Sequence, residues 1–322
     1  MINKDNAQVH NSIRRMLHDS RSILLVSHIR PDGDAVGSLI GMGLTLKAKG
    51  KQIQMVLMDG LPKNYRFLKG SESIVQEIKD NYDLSIILDS SDLRRIGSLF
   101  KGRMPDINID HHITNERYAR INLVDPKAAA TAAMLAEHLP QWGYDLNPSV
   151  ANAFLMGIIT DTIGFSTINT SSKVLRLAAD LMEQGADITD IYRKALSDHT
   201  MQACLLWGFA LSRLHKEDQL IYTSIMLEDR RKAGYHGKDD ADLTNVLSSI
   251  ADCDISILFN EQSPKNVKVS WRSRTKLDVA KIAQQFGGGG HPAAAGAELQ
   301  LDIIIAQEKV LQATHLFIEQ NL

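Results

Sequence analysis

Apolar residues in the first half of the chain come in short runs separated by stretches of helix length. Ile23–Val26, Ile53–Met58, Leu84–Leu88 and Ile107–Ile109 are rich in aliphatic and β-branched residues and too short for helices, so each reads as a strand. The pattern from about residue 35 to 49 is helical, and Gly50 ends it. Strands alternating with helix-length segments predict βαβ units, and hence an α/β domain with a mostly parallel sheet and helices on both faces. Helices dominate from Ala129 to about Leu214. Within them Val174, Leu175, Leu177, Ala178, Leu181 and Met182 recur at the spacing of one helical face, with Ser171 or Ser172 as the cap and Gly185 as the stop.

The pattern changes near residue 215. Leu220–Met226, Ile255–Phe259 and Val267–Trp271 predict the strands of a second, smaller α/β domain, and a helical pattern runs from about 303 to 317. The expected organisation is a first domain over residues 1–195, a helical linker over 196–214 and a second domain over 215–322. There is no internal repeat, and the one low-complexity feature is Gly287–Gly290.

Composition narrows the function classes. A chain of 322 residues fits two domains of about 150 residues each. With 44% hydrophobic and 23% charged residues it is neither an acidic disordered chain nor a collagen-like repeat. Lys and Arg number 36 against 38 Asp and Glu, so no overall field draws in a long nucleic acid, although a local basic site stays open. Cys204 and Cys253 stand alone and are expected to be small buried hydrophobes rather than a disulfide. The N-terminal stretch lacks a signal-peptide core, and no run approaches the roughly 18 apolar residues of a membrane span. The expected protein is soluble and cytoplasmic, with no membrane partner.

The chemistry gathers where the strands stop. In open parallel sheets ligands bind beyond the carboxyl ends of the strands. The first run is followed there by His28-Ile29-Arg30-Pro31-Asp32-Gly33-Asp34, the third by Asp89 and the fourth by Asp110-His111-His112. Asp161 follows a further apolar segment, Phe154–Thr160. Taken singly, an Asp after a strand is usually a helix cap and a His pair is usually surface or satisfied core. Taken jointly, HxxxDxD, Asp, DHH and Asp make a metal-ligand set. Carboxylates and imidazoles without thiolate favour Mn or Mg over structural zinc. Six ligands exceed the needs of one open site, so two ions sharing a bridging carboxylate are expected, an arrangement suited to activating water against phosphorus.

These motifs resemble those of the DHH phosphoesterase superfamily. His28–Ser38 is similar to its first motif, Leu88–Asp92 with Arg95-Ile96-Gly97 to its second, Asp110-His111-His112 to its third and Thr160-Asp161-Thr162 to its fourth. Val269–Ser273 and Phe286–Gly296 resemble the DHH-associated C-terminal domain, which implies a mixed sheet there. The resemblance covers almost the whole chain and points to the nanoRNase/pAp-phosphatase (NrnA-type) group.

The resemblance implies that His28, Asp32 and Asp89 hold one Mn2+ and that Asp34, Asp89, His111 and Asp161 hold the other, with Asp89 bridging; Mg2+ or Co2+ are substitutes. His112 would face the substrate phosphate and Asp110 would orient its neighbours, so Asp89, Asp110 and His112 form the expected catalytic set. The four carboxylates Asp32, Asp34, Asp89 and Asp161 are cancelled by two divalent ions, so a phosphate needs further donors. His112, Arg272, Ser273, Gly288, Gly289, Gly290 and His291 are the implied substrate-binding residues, in a cleft between the domains. The flanking small residues suggest that the glycines open a helix packed near the anion, and Trp271 is a candidate for stacking on a base, against its equally natural place in the core. Ile163 stands where many relatives place a glycine or another small residue.

The implied activity is hydrolysis of short single-stranded RNA to mononucleotides and removal of the 3′-phosphate of 3′-phosphoadenosine 5′-phosphate (pAp). Linear or cyclic dinucleotides are the alternative substrates. A binding module without catalysis is disfavoured because every ligand position is filled. The resemblance leaves a homodimer open.

Overall fold

The first sheet is built from β1 (Ser22–Val26), β2 (Gln52–Val56), β3 (Ile74–Val75), β4 (Leu84–Leu88), β5 (Ile107–Asp110) and β6 (Ile121–Val124). The computed structural model describes residues 4–79, 81–100 and 103–321. The strand order is β3-β2-β1-β4-β5-β6 and every neighbouring pair is parallel. The order reverses between β1 and β4, so their carboxyl ends frame the crevice in which such sheets bind ligands. Around the sheet lie α1 (Lys4–Asp19), α2 (Gly33–Ala48), α3 (Thr131–Gln141), α4 (Pro148–Asp161), α5 (Ser172–Glu183) and α6 (Ile188–Tyr192).

Period-two alternation divides the strands between two cores. Ile23, Leu25, Ile86, Leu88, Ile107 and Ile109 pack with the α-helices in the larger core. Leu24, Val26, Val56 and Ile87 face the other way, against Ile96 of a short 3-10 turn (Leu93–Ile96) and Phe100. The α-helical layer therefore lies on one face, and short turns close the second. On that second face the β4–β5 connection carries a 3-10 turn ended by Gly97, whose backbone is left-handed (φ 64). On α5 only Val174, Ala178 and Leu181 of the expected stripe are buried, while Leu175 and Met182 are exposed.

Glycines set how closely α2 and α4 approach. Gly33, Gly37 and Gly41 recur every fourth residue along one face of α2. A Cβ at Gly37 would stand 2.4 Å from the Ala153 carbonyl oxygen, and one at Gly33 would stand 2.2 Å from the Thr160 hydroxyl. The two helices meet backbone to backbone, which brings the first turn of α2, with Asp34, against the last turn of α4, with Asp161.

The chain divides into two compact units, residues 1–198 and 199–322. The second unit contains α7 (Met201–Leu211), β7 (His215–Glu217), β8 (Leu220–Ile225), α8 (Leu227–Ala233), α9 (Leu243–Ser248), β9 (Ile255–Ser263), β10 (Asn266–Ser273), α10 (Val279–Gln285), β11 (Gly289–His291), β12 (Ala294–Leu299) and α11 (Ile303–Asn321). Its sheet runs β11-β12-β10-β9-β8-β7 and is mixed: β8 and β9 are parallel, the other pairs antiparallel. Ala203, Leu206 and Ala210 of α7 pack with Ile221 and Leu258, so that helix, in the range expected as linker, is part of this unit's core.

One open choice is decided and two further expectations are corrected. Trp271 is fully buried, its indole N–H donates to the Thr314 hydroxyl (3.3 Å) and its ring stacks on Phe286, so no base can reach it. Gly289 and Gly290 form an edge strand with His291, after α10 has ended, rather than opening a helix. Cys204 is exposed on α7, while Cys253 is buried as expected. No described helix is long and apolar enough to cross a membrane.

Candidate active site

His28 follows β1, Asp89 follows β4, and Asp110 is the last residue of β5. These are adjacent strands, so the parallel register delivers the three side chains to one end of the sheet. Asp89 adopts a left-handed backbone (φ 56), a conformation Asp tolerates better than most residues. Asp32 caps α2, one carboxylate oxygen accepting from the Ala35 N–H at 3.0 Å, while its other oxygen lies 3.6 Å from His28 Nε2. The same residue is thus both a helix cap and a candidate ligand. Asp34 follows in the first turn of α2, and Asp161 ends α4.

The imidazoles are oriented by what their other nitrogen does. His28 Nδ1 lies 2.8 Å from the Ile29 carbonyl oxygen, to which it donates. That leaves Nε2 to face the cluster, where it is buried, has no hydrogen-bond partner and lies 3.5 Å from an Asp89 oxygen. His111 Nδ1 faces the Ala128 carbonyl at 3.3 Å, and its Nε2 lies 3.6–3.8 Å from oxygens of Asp34, Asp89 and Asp161. Those separations are too long for hydrogen bonds. They match donors around a common ion, since two ligands each about 2.1 Å from a metal stand about 3.0–4.2 Å apart.

Three donor groups result: His28, Asp32 and Asp89; Asp34, His111 and Asp161; and Asp89, His111 and His112, each with its donor atoms within 4.8 Å of one another. Asp89 and His111 link the groups. Asp34 and Asp89 are fully buried, as is His28. An orphaned buried imidazole nitrogen facing clustered carboxylates is a donor set that fits a cation.

The electrostatics agree. Burial, then the charges of Asp89, Asp161 and Asp32, push Asp34 well above the ordinary carboxylate range. Burial likewise pushes Asp161 up to about 7, against the pull of His111. Asp89 goes the other way: burial disfavours its charge, but the imidazoles of His28, His112 and His111 facing it hold it below its ordinary value. His28 is raised to about 10, burial being overcome by Asp32 and Asp89. The pocket holds positive charge, and divalent cations supply it as readily as protons do.

His112 is set differently. Its Nδ1 donates to Asp110 at 2.7 Å, and Asp110 also accepts from the His111 N–H (2.9 Å) and from Asn115 Nδ2 (2.5 Å). Burial opposes charging of His112, yet the Asp110 hydrogen bond and the Asp89 charge raise its pKa overall. Asp110 thus orients both histidines without facing the donor cluster itself.

Two supporting residues escape the motif reading. The Thr131 hydroxyl donates to Asp89 at 3.0 Å, and the N–H groups of Thr131 and Ala132, at the start of α3, donate to the two oxygens of Asp34 at 2.6 and 2.8 Å. A lone Thr in an alanine run was the available signal. Asn115, which fixes Asp110 and also bonds Asn108 at 2.8 Å, had none beyond its position three residues past His112.

In the second unit, Arg272 and Ser273 end β10 and His291 ends β11. His291 pairs with Ala294 of β12, which pairs with Arg272, so the three lie in one row across the sheet. Burial lowers the Arg272 pKa, with Asp240 opposing, and one of its N–H groups donates to the Trp271 carbonyl at 3.0 Å. The Ser273 hydroxyl donates to the Thr275 carbonyl at 3.3 Å. Gly288 has its role inside the fold, because a Cβ there would stand 2.2 Å from the Gly296 carbonyl oxygen. Gly289 faces open space and is exposed, as are Gly290 and His291.

Comparison with known proteins agrees with this division. Residues 22–158 match the N-terminal domain of the DHH family, and residues 217–320 match the DHHA1 domain. A bifunctional oligoribonuclease and PAP phosphatase NrnA from Thermus thermophilus is 35% identical, over 90% of this chain and 88% of that protein. The protein of the same name from Mycoplasma genitalium is 28% identical over 85% of this chain and 87% of its own length. An exopolyphosphatase-related protein from Bacteroides fragilis, 24% identical, shares the fold with a TM-score of 0.89 over 98% of this chain and 96% of that one. The chain belongs to the DHH family, as a member that joins the N-terminal DHH domain to a DHHA1 domain.

Proposed function

We propose that this chain is a Mn2+-dependent phosphoesterase that hydrolyses RNA oligonucleotides of a few residues to mononucleotides and removes the 3′-phosphate of pAp. The observation that carries the reading is the set of donor groups linked through Asp89 and His111, with the unpartnered His28 nitrogen aimed into them. The names of the relatives supply the substrate class. His28, Asp32 and Asp89 would hold one ion and Asp34, Asp89, His111 and Asp161 the other. Bound there, the ions supply Lewis acidity at a phosphoryl oxygen and lower the pKa of a water.

The protein's own residues do the rest. Thr131 and the α3 N–H groups fix Asp89 and Asp34, so the bridging geometry is set before substrate arrives. His112, with its pKa raised and Nδ1 tied to Asp110, presents its other edge as a donor to a phosphate oxygen or to the leaving group. No side chain needs to act as a covalent nucleophile. In the second unit, Arg272, Ser273, His291 and the exposed glycines 289 and 290 would bind a substrate phosphate, Arg272 through a bidentate contact. Near-neutral overall charge suits ligands of a few phosphates rather than a long strand.

The test is an assay of the full chain with Mn2+ on end-labelled RNAs of two to five nucleotides and on pAp, with Asp89→Ala as control. The expected result is mononucleotides and AMP from wild type and neither from the variant. Absence of turnover on both substrates by wild type would sink the proposal.

A further inference from the structure

Directly after Asp161 the chain passes through three consecutive left-handed residues: Ile163 (φ 47), Gly164 (φ 66) and Phe165 (φ 67). The Gly164 N–H donates to the Ile159 carbonyl (2.8 Å) and the Ile163 N–H to the Thr160 carbonyl (3.2 Å), which closes α4 in the manner of a Schellman cap. Ile163 occupies the left-handed position that glycine normally fills, and a β-branched residue there is a true outlier. Thr162, fully buried, braces the turn: its hydroxyl donates to the Ile158 carbonyl (2.6 Å) and accepts from the Phe165 N–H (3.0 Å).

The two strained side chains differ in what offsets the strain. Phe165 packs against the larger core. Ile163 is 48% exposed, so burial in the folded protein does not explain it. It lies two residues from Asp161, within roughly 7 Å along the backbone. Tyr192, 45% exposed, reaches the same turn: a Cβ on Gly164 would stand 2.7 Å from its ring. Ile163 and the Tyr192 ring are thus two exposed apolar groups at the turn that follows the candidate ligand Asp161. An aliphatic side chain offers nothing to a phosphate, but ligand sites commonly pair a few polar groups with apolar walls.

We propose that Ile163 is a specificity-determining residue whose side chain packs on the nucleobase of the nucleotide held at the metal centre, favouring nucleotides over phosphates without a base. The inference rests on the metal-centre reading above, but its test does not need turnover. Mn2+-loaded wild type, Ile163→Gly and Ile163→Leu are titrated calorimetrically with AMP and with ribose 5-phosphate, and each is melted.

Ile163→Gly is expected to melt higher, because the strain is gone. It is also expected to bind AMP about tenfold more weakly, the low end of the scale of one hydrophobic pocket contact, while ribose 5-phosphate binding is unchanged. Ile163→Leu should recover most of the AMP affinity. Equal AMP affinity in wild type and Ile163→Gly, or equal weakening of both ligands, overturns the proposal. Loss of AMP affinity in a chain that hydrolyses neither short RNA nor pAp would defeat the activity reading alone and leave the role of Ile163 standing.

Discussion

Asp32 shows how one residue meets two demands, since one oxygen caps α2 and the other faces His28. Asp110 does the complementary job, holding His112 and His111 by hydrogen bonds at the end of β5. Replacing Asp110 with Asn should lower kcat by about 10–100-fold, the usual cost of losing a supporting partner, while bound Mn2+ measured by elemental analysis stays at the wild-type level. The raised pKa values of Asp34 and Asp161 fix the direction of a pH effect. Near and below about pH 7 Asp161 holds a proton that a cation must displace, and Asp34 is shifted in the same direction, so apparent Mn2+ affinity should fall as pH drops from 8 to 6. Calorimetric titration checks this, and an affinity flat across that range would contradict the assignment. The DHH and HxxxDxD residues were legible because parallel strands leave their carboxyl ends at one place. Thr131 was not, because its partners, Asp89 and Asp34, lie 42 and 97 residues away in the chain.

At the level of elements, the close contact of α2 with α4 brings Asp34 and Asp161, two of the candidate metal donors, together. Gly37→Val would drive a side chain into the Ala153 carbonyl and should destabilise the fold by about 1–3 kcal/mol, as overpacking does. Thermal melts read the cost, and Mn2+ binding should weaken with it because Asp34 and Asp161 move apart. Gly208, exposed on α7 with open space around its Cβ position, is the contrast: Gly208→Ala should stabilise by about 0.4–1 kcal/mol. Strands and helices of the first sheet were readable from apolar periodicity. The second face of that sheet was not, because 3-10 turns leave no period. The GGGGH segment misled for another reason: glycine there serves the close approach of β12 to Gly288, not a helix start. Of the two readings of Trp271 the core one holds, because neighbours on a strand point to opposite faces and the residue beside Arg272 faces inward.

Across the whole molecule, the candidate metal donors lie in residues 1–198 and the candidate phosphate grip lies in residues 199–322. The proposed division of labour predicts a split in kinetics. Arg272→Ala should raise KM for pAp at least about tenfold, the scale of a lost charge-assisted hydrogen bond, with Mn2+ content unchanged. A variant that instead lost metal would move Arg272 from binding to structure. The proposed two-ion centre bridged by Asp89 is probed by following hydrolysis of an RNA dinucleotide while Mn2+ is titrated into the metal-free chain. With two ions, activity should climb to a plateau at two equivalents of Mn2+ per chain. A plateau at one equivalent, or no hydrolysis at any Mn2+ concentration, would contradict it.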